Sequence, residues 1–282
     1  MLVKPLAQSF GAEVRGLSQD LLLEPDVART LRNALHEHLL LIVRDQRLGV
    51  PDQVNLARIF GPPEKAWDSK SHHPDSPYVQ VMNSAPRPPT ASRTSSQFWH
   101  TDGSFLPCPT LTTILAIQEL PRDGGDTLFV DTRSAYRDLP QNLKESVRNV
   151  YLRFSYRHQL HGFQTAKYGS EDTTANDYPD VLHPLVRQHP GTGQGSLYLD
   201  QLCVSRVEGK PEAESRELLE SLYAHTITES RIYQHMWRDG DLLIWDNPTL
   251  MHRRGAHHQG ARLLHRTSIA GSRPVMLADE AV

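Results

Sequence analysis

Nothing in this 282-residue chain approaches the roughly 18 consecutive apolar residues that a membrane-spanning helix needs, so no membrane partner is expected. Cysteine is nearly absent. Cys108 and Cys203 alone cannot make a disulfide framework and fit a reducing compartment, where both read as ordinary thiols. The opening Met1-Leu-Val-Lys-Pro-Leu6 has no apolar core followed by a cleavage signal, which points to a cytoplasmic protein. An excess of one charge is also missing. Thirty basic residues against 33 acidic ones leave a formal charge of −3, too weak a field to imply nucleic acid or an anionic surface. Small molecules are the expected partners, and a homo-oligomer is left open.

Local patterning reads as mainly β with a few flanking helices. Val27, Leu31 and Leu35 recur at four-residue spacing within 25–38, the stripe of an amphipathic helix, and Leu39-Leu-Leu-Ile-Val43 then reads as a buried strand. A second helix is expected from Pro51 to before Gly61-Pro-Pro63, and these pieces are expected to cap the main sheet. Short strand-like runs cover 111–120, 127–130, 183–188, 196–199, 231–237, 241–245 and 261–270, with helices near 134–149 and 212–226. No repeat is visible. Many short strands and few helices suggest a double-stranded β-helix, or jelly roll, forming one domain over 1–282. Residues 84–97, with three prolines and many hydroxyls, and 169–180, rich in Thr, Asp, Asn and Gly, read either as lids over a site or as plain surface connections.

Two short segments carry the chemistry: Trp99-His100-Thr101-Asp102 and Trp245-Asp246-Asn247 with His252 behind it. Two histidines and one carboxylate on one face of a ferrous ion leave the opposite positions open for a chelating cosubstrate and O2. In an extended strand, residues two apart point the same way, so a strand at 100–102 would offer His100 and Asp102 together. His252 follows an apolar strand, Leu242-Leu-Ile244, that Asn247-Pro248 ends. His72, His73, His257 and His258 have no such context and read as solvated.

The segments Phe98–Phe105, Leu120–Thr127, His183–Arg187, Gly240–Asn247 and Leu264–Thr267, in this order, resemble the taurine dioxygenase and 2,4-dichlorophenoxyacetate dioxygenase family. The likeness runs from Gly11 to about residue 271. It implies an Fe(II)- and 2-oxoglutarate-dependent oxygenase that uses O2, with metal ligands His100, Asp102 and His252. It also implies that Arg262, ten residues after His252, grips the far (C5) carboxylate of 2-oxoglutarate with Thr127. A planar guanidinium suits that task because it offers two parallel charge-assisted hydrogen bonds. Arg266, four residues further on, faces the same side of an extended strand. The resemblance gives it either an acidic group of the substrate or the 2-oxoglutarate C1 carboxylate.

Departures from the taurine enzyme bear on substrate. Gly61-Pro-Pro-Glu-Lys-Ala66 lacks that enzyme's substrate-binding histidine, Ser96 stands where it has asparagine, and one residue fewer separates His252 from the arginines. Taurine is therefore disfavoured. Trp67, Phe98 and Phe105 read either as walls of a less polar pocket or as core, and the substrate contacts expected are Ser96, Phe105 and Arg266. The implied reaction hydroxylates a carboxylate, sulfonate or aryloxyalkanoate with release of succinate and CO2; a neutral or amino-acid-like substrate is the alternative. Asp102 favours hydroxylation over halogenation, since halogenating relatives lack the carboxylate. A zinc hydrolase could use the same three ligands. It would have no need of Thr127 and Arg262. A binding protein without catalysis would tolerate loss of Asp102 or His252, and both are present.

Overall fold

The run Leu40–Val43 is buried along its whole length because both faces of its strand are covered. In the computed structural model, which describes residues 1–7, 10–18, 20–67, 69–84, 95–158, 177–255 and 258–278, it lies inside an eight-stranded sheet. The order is Leu2–Pro5, Ala12–Arg15, Leu40–Val43, Leu242–Asp246, Thr112–Glu119, Arg262–Ile269, Ser76–Ser84 and His72–His73. Only the pairing of Ala12–Arg15 with Leu40–Val43 is parallel.

Side-chain alternation sorts this sheet into two apolar faces. Leu41, Val43, Ile114, Ala116, Leu242 and Ile244 pack with Leu31 and Leu35 of the helix Pro25–His38 and with Leu56 and Ala57 of the helix Val50–Arg58. On the other face Leu40, Ile42, Leu115, Leu243 and Trp245 meet Phe129, Tyr233 and Leu250. Those three come from a second sheet, ordered Ile232–His235, Thr127–Asp131, Leu250–Arg254. The helices thus cover one face as expected. The strand at 40–43, expected to belong to a cap, is instead a member of the sheet that the helices cover, paired with Leu242–Asp246.

Two smaller three-stranded sheets lie beyond these, and a two-stranded pairing joins His258–Gln259 to Asp123–Gly124. The three-stranded sheets are Val181–Pro184, Tyr151–Phe154 and Val204–Val207, and Gly195–Leu197, Val186–Gln188 and Val275–Met276. The single strand expected over 183–188 is therefore two, which break at Leu185 and pair in different sheets. The single helix expected near 134–149 is also two, Thr132–Arg137 and Gln141–Val147. Pro140 separates them, because its ring excludes a continuous helix and restrains the residue before it. Asp131 caps the first, accepting from the Arg133 and Ser134 amides at 2.9 Å each. The helix expected at 212–226 is present as Glu212–Thr226.

His72 and His73 are half-buried, not solvated. His72 Nε2 donates to the Ala66 carbonyl at 2.8 Å, and the His73 ring meets His265 edge-on at 5.0 Å. Of the two expected lids, only 84, 95–97 and 177–180 fall within the described residues, and His257 and the side chain of His258 lie outside what is described. No helix among the described residues is long and apolar enough to cross a membrane.

Candidate active site

His100 and His252 are brought together by backbone pairing. An isolated antiparallel bridge joins them, with His100 N to His252 O at 3.0 Å and His252 N to His100 O at 2.8 Å. The rings lie side by side with centroids 4.2 Å apart. The expected strand at 100–102 is not there: His100 makes this one bridge, and the chain then turns over 102–105. Gly103 permits the turn. It has φ +66°, and a Cβ on it would stand 3.1 Å from Thr110 Oγ1 and 3.3 Å from both the Leu106 side chain and the Thr110 amide. The turn delivers Asp102 to the histidines, and one ligand atom from each of His100, Asp102 and His252 lies within 4.8 Å of the others.

The three donors are held in forms that suit a divalent metal. His100 Nδ1 donates to the Phe98 carbonyl at 2.8 Å, because a carbonyl can only accept, and this leaves Nε2 as the lone-pair donor. His252 is buried against Trp245, centroids 4.8 Å apart, and its Nδ1 has no hydrogen-bond partner. Burial, with His100 beside it, pushes the His252 pKa down to about 3, so the ring is neutral and ready to ligate. Burial acts to raise Asp102, but the Arg266 guanidinium, both histidines and the Thr113 hydroxyl outweigh it and hold the carboxyl at about 2. Asp102 Oδ1 lies 3.8 Å from His252 Nε2 and 3.1 Å from Arg266 Nη1, and Oδ2 accepts from Thr113 Oγ1 at 2.7 Å. An anionic oxygen donor and two neutral imidazoles form a set that fits ferrous iron.

Asn247 joins this network through Thr113, to which its Nδ2 donates at 3.0 Å, while its Oδ1 accepts from Trp245 Nε1 at 3.0 Å. Arg187 secures the turn before His252 by donating to the carbonyls of Pro248 at 3.0 Å and Asn247 at 2.6 Å. The His183–Arg187 segment therefore serves the site as a support.

Asp200 was missed by sequence reasoning. It is fully buried, lines the cavity, and accepts four hydrogen bonds: from Thr101 N at 3.1 Å, Ser104 Oγ at 2.7 Å, Leu202 N at 2.7 Å and Cys203 N at 2.9 Å. Two of these pin the loop on either side of Asp102. Asp200→Asn keeps the shape but places an amide among N–H donors. Fe(II) affinity should fall about 10- to 100-fold, the loss typical of removing a group that orients metal ligands. Binding titrations on folded variant check this, and unchanged affinity would reduce Asp200 to a packing residue.

Behind the triad lies a second charged centre. Arg262 is 4% exposed, and its Nη2 reaches Thr127 Oγ1 at 3.4 Å. Thr127 is oriented by Trp237 Nε1 at 3.1 Å, and the Arg262 guanidinium sits over the Trp237 ring at 5.7 Å. Gly125, at φ +78°, leaves room for this side chain, since a Cβ there would lie 3.2 Å from Arg262 Cδ. No carboxylate among the described residues forms an ion pair with Arg262, and its Nε is buried without a partner. Burial, with Arg254 as a second cation, pushes its pKa down to about 9 against the opposing charge of Asp126, so it stays charged at neutral pH with no carboxylate bonded to it among the described residues. Such a group calls for an anion.

Both centres open into one cavity of about 570 Å³. The expected residues Ser96, Phe105, Thr127, Arg262 and Arg266 all line it beside the triad. Arg262, Leu264 and Arg266 alternate into it from the strand Arg262–Ile269, as its extended backbone requires. Arg266 donates from Nε to Gln80 at 2.8 Å and from Nη1 to Asp102, while Nη2 has no hydrogen bond among the described residues. Trp67 and Phe105 are walls of the cavity, whereas Phe98 packs against the core. Of the cysteines, Cys108 is exposed and Cys203 is buried on the cavity wall.

The buried histidines set a pH dependence for the metal-free protein. Burial holds His183 at about 4 and His252 at about 3. Below about 6.5 the unfolded chain takes up protons that the folded chain refuses. Stability is therefore greatest above that pH and falls on acidification by ~1.4 kcal/mol per pH unit for each histidine until its folded value is reached. Asp131 and Asp200, raised by burial, act in the opposite sense. The comparison that isolates the effect is denaturant unfolding of wild type and His183→Gln between pH 7 and pH 5. The variant should show the shallower loss, and identical slopes would contradict the assignment.

Comparison with known proteins places the chain in a family. The profile of the family described as "Taurine catabolism dioxygenase TauD, TfdA family" matches residues 2–268, and the chain belongs to that family. It is a 2-oxoglutarate-dependent dioxygenase that uses Fe(II), 2-oxoglutarate and O2. It is similar to the alpha-ketoglutarate-dependent 2,4-dichlorophenoxyacetate dioxygenase of Burkholderia sp. (strain RASC), with 30% identity over 94% of this chain and 92% of the relative. The alpha-ketoglutarate-dependent sulfate ester dioxygenase of Pseudomonas putida is 28% identical over 97% of this chain and 90% of that one. A crystal structure of AAD-2 in complex with Mn(II) and N-oxalylglycine superposes with a TM-score of 0.82 at 27% identity, covering 97% of this chain and 98% of its own.

Proposed function

We propose that the chain hydroxylates a small to medium organic acid with an apolar or aromatic body. In this reading His100, Asp102 and His252 hold the iron, Arg262 and Thr127 hold the far carboxylate of 2-oxoglutarate, and Arg266 meets the acidic group of the substrate. Iron bound there with the cosubstrate would supply the oxidising chemistry by which 2-oxoglutarate, O2 and a substrate C–H become succinate, CO2 and the C–OH product. The observation that carries the proposal is the buried guanidinium of Arg262, with no ion pair among the described residues, in the same cavity as the triad. A zinc hydrolase would have no use for it.

Arg262 fixes one end of the cosubstrate, so its other end is directed toward the triad. The unshared Nη2 of Arg266 then remains for a second anion next to the triad, with Phe105, Leu106 and Met82 to accept an apolar body. The dioxygenase relatives act on an aryloxyalkanoate and on sulfate esters, which supports an anionic substrate class. The two layers of sheet meeting at Trp245 and Phe129 support the further reading of the chain as one double-stranded β-helix domain.

The test is a matched pair, an active acid and its methyl ester, turned over by wild type and by Arg266→Gln. Wild type should favour the acid by about 10- to 150-fold, the worth of a charged hydrogen bond, and the variant should lose that preference while still consuming 2-oxoglutarate slowly. An ester turned over as well as the acid would reassign Arg266 to the cosubstrate.

A further inference from the structure

Among the described residues three carboxylates line the cavity, and two are fully engaged. Asp102 has Arg266 and Thr113; Asp200 has four donors. The third, Glu64, does not fit a pocket built only for an acid. Its backbone is pinned to the end of the strand that carries Arg266: Pro63 bridges Ile269, and Glu64 N donates to Ser268 O at 2.8 Å. Its carboxyl is half-buried and accepts one long hydrogen bond, from Thr110 Oγ1 at 3.3 Å. No lysine or arginine among the described residues pairs with it. Burial raises its pKa, the Thr110 bond opposes this, and the like charge of Asp102 adds to the rise. The same cavity is lined by the aromatic residues Trp67, Tyr78 and Phe105. A carboxylate and aromatic rings lining one cavity suit an ammonium group, by charge and by the negative face of a ring.

We propose that the substrate is zwitterionic, with its acidic group at Arg266 and an ammonium group at Glu64. The proposal rests on the organic-acid reading of Arg266 and adds the second charge. A plain acid would be repelled by Glu64, whereas an amino acid satisfies both Arg266 and Glu64 in the cavity that the triad lines.

The experiment is calorimetric titration of protein loaded anaerobically with Fe(II) and 2-oxoglutarate. The probes are matched pairs with and without the amine: phenylalanine and 3-phenylpropanoate, 4-aminobutyrate and butanoate, 5-aminopentanoate and pentanoate. In at least one pair the amino member should bind wild type about tenfold or more tightly than its partner. Glu64→Gln should bring that ratio close to one, and Glu64→Asp, which keeps the charge, should preserve much of it. The proposal is overturned if no amino member binds, if the desamino members bind as well throughout, or if the ratio survives Glu64→Gln. Arg266→Gln keeps the failures apart. It should weaken both members of a pair, and if it weakens neither, the acid reading fails whatever Glu64 does.

Discussion

His252→Ala is expected to lower Fe(II) affinity by more than about a hundredfold and to abolish turnover. Loss of an outer partner alone costs about 10- to 100-fold, and this change removes a ligand itself. The hole left beside Trp245 would also leave Asp102 and His100 without the third donor that closes the face. Asp102→Ala should do the same for a different reason. It removes the anionic oxygen and leaves Arg266 facing two histidines with no carboxylate between them. A suitable control is His225→Ala, whose ring bonds the Ala135 carbonyl and which lines no part of the cavity. Metal titration followed by denaturant unfolding separates ligand loss from misfolding. Unchanged iron binding in either triad variant would contradict the assignment.

Arg262→Ala should leave iron affinity intact and raise the 2-oxoglutarate requirement by about 30-fold to about 4,000-fold. That range follows from the roughly 2 to 5 kcal/mol lost when one partner of a buried charge pair is truncated. The metal-free variant should be no less stable than wild type, because Arg262 is buried without an ion-pair partner among the described residues. Arg262→Lys keeps the charge but loses the planar fork, and should fall between the two. Equal loss of iron and 2-oxoglutarate binding would mean that the residue supports the metal centre.

The strands and the ligands were legible for different reasons. Leu40–Val43 and Leu242–Asp246 read as buried because both faces of the sheet are covered, so apolar residues run without interruption. Arg262 and Arg266 were placed on one side of a strand by alternation alone, and the structure has them there. The backbone at His100 was misread. Its bridge to His252 joins residues 152 positions apart, which local pattern does not register, and the turn at Gly103 follows at once. Asp200 was invisible for the same reason, since an acid after an apolar run gives no sign that four donors converge on it. Glu64 was noted only for the histidine absent from its segment. Its meaning emerges once Asp102 and Arg266 are seen to satisfy each other.

The central claim is that one cavity holds ferrous iron on His100, Asp102 and His252 and 2-oxoglutarate against Arg262. Its most direct test is the anaerobic visible spectrum of metal-free protein titrated first with Fe(II) and then with 2-oxoglutarate. A metal-to-ligand charge-transfer band should appear only when both are present, at low 2-oxoglutarate concentration in wild type and only at far higher concentration in Arg262→Ala. Folded wild-type protein that shows no band with both present would contradict the account.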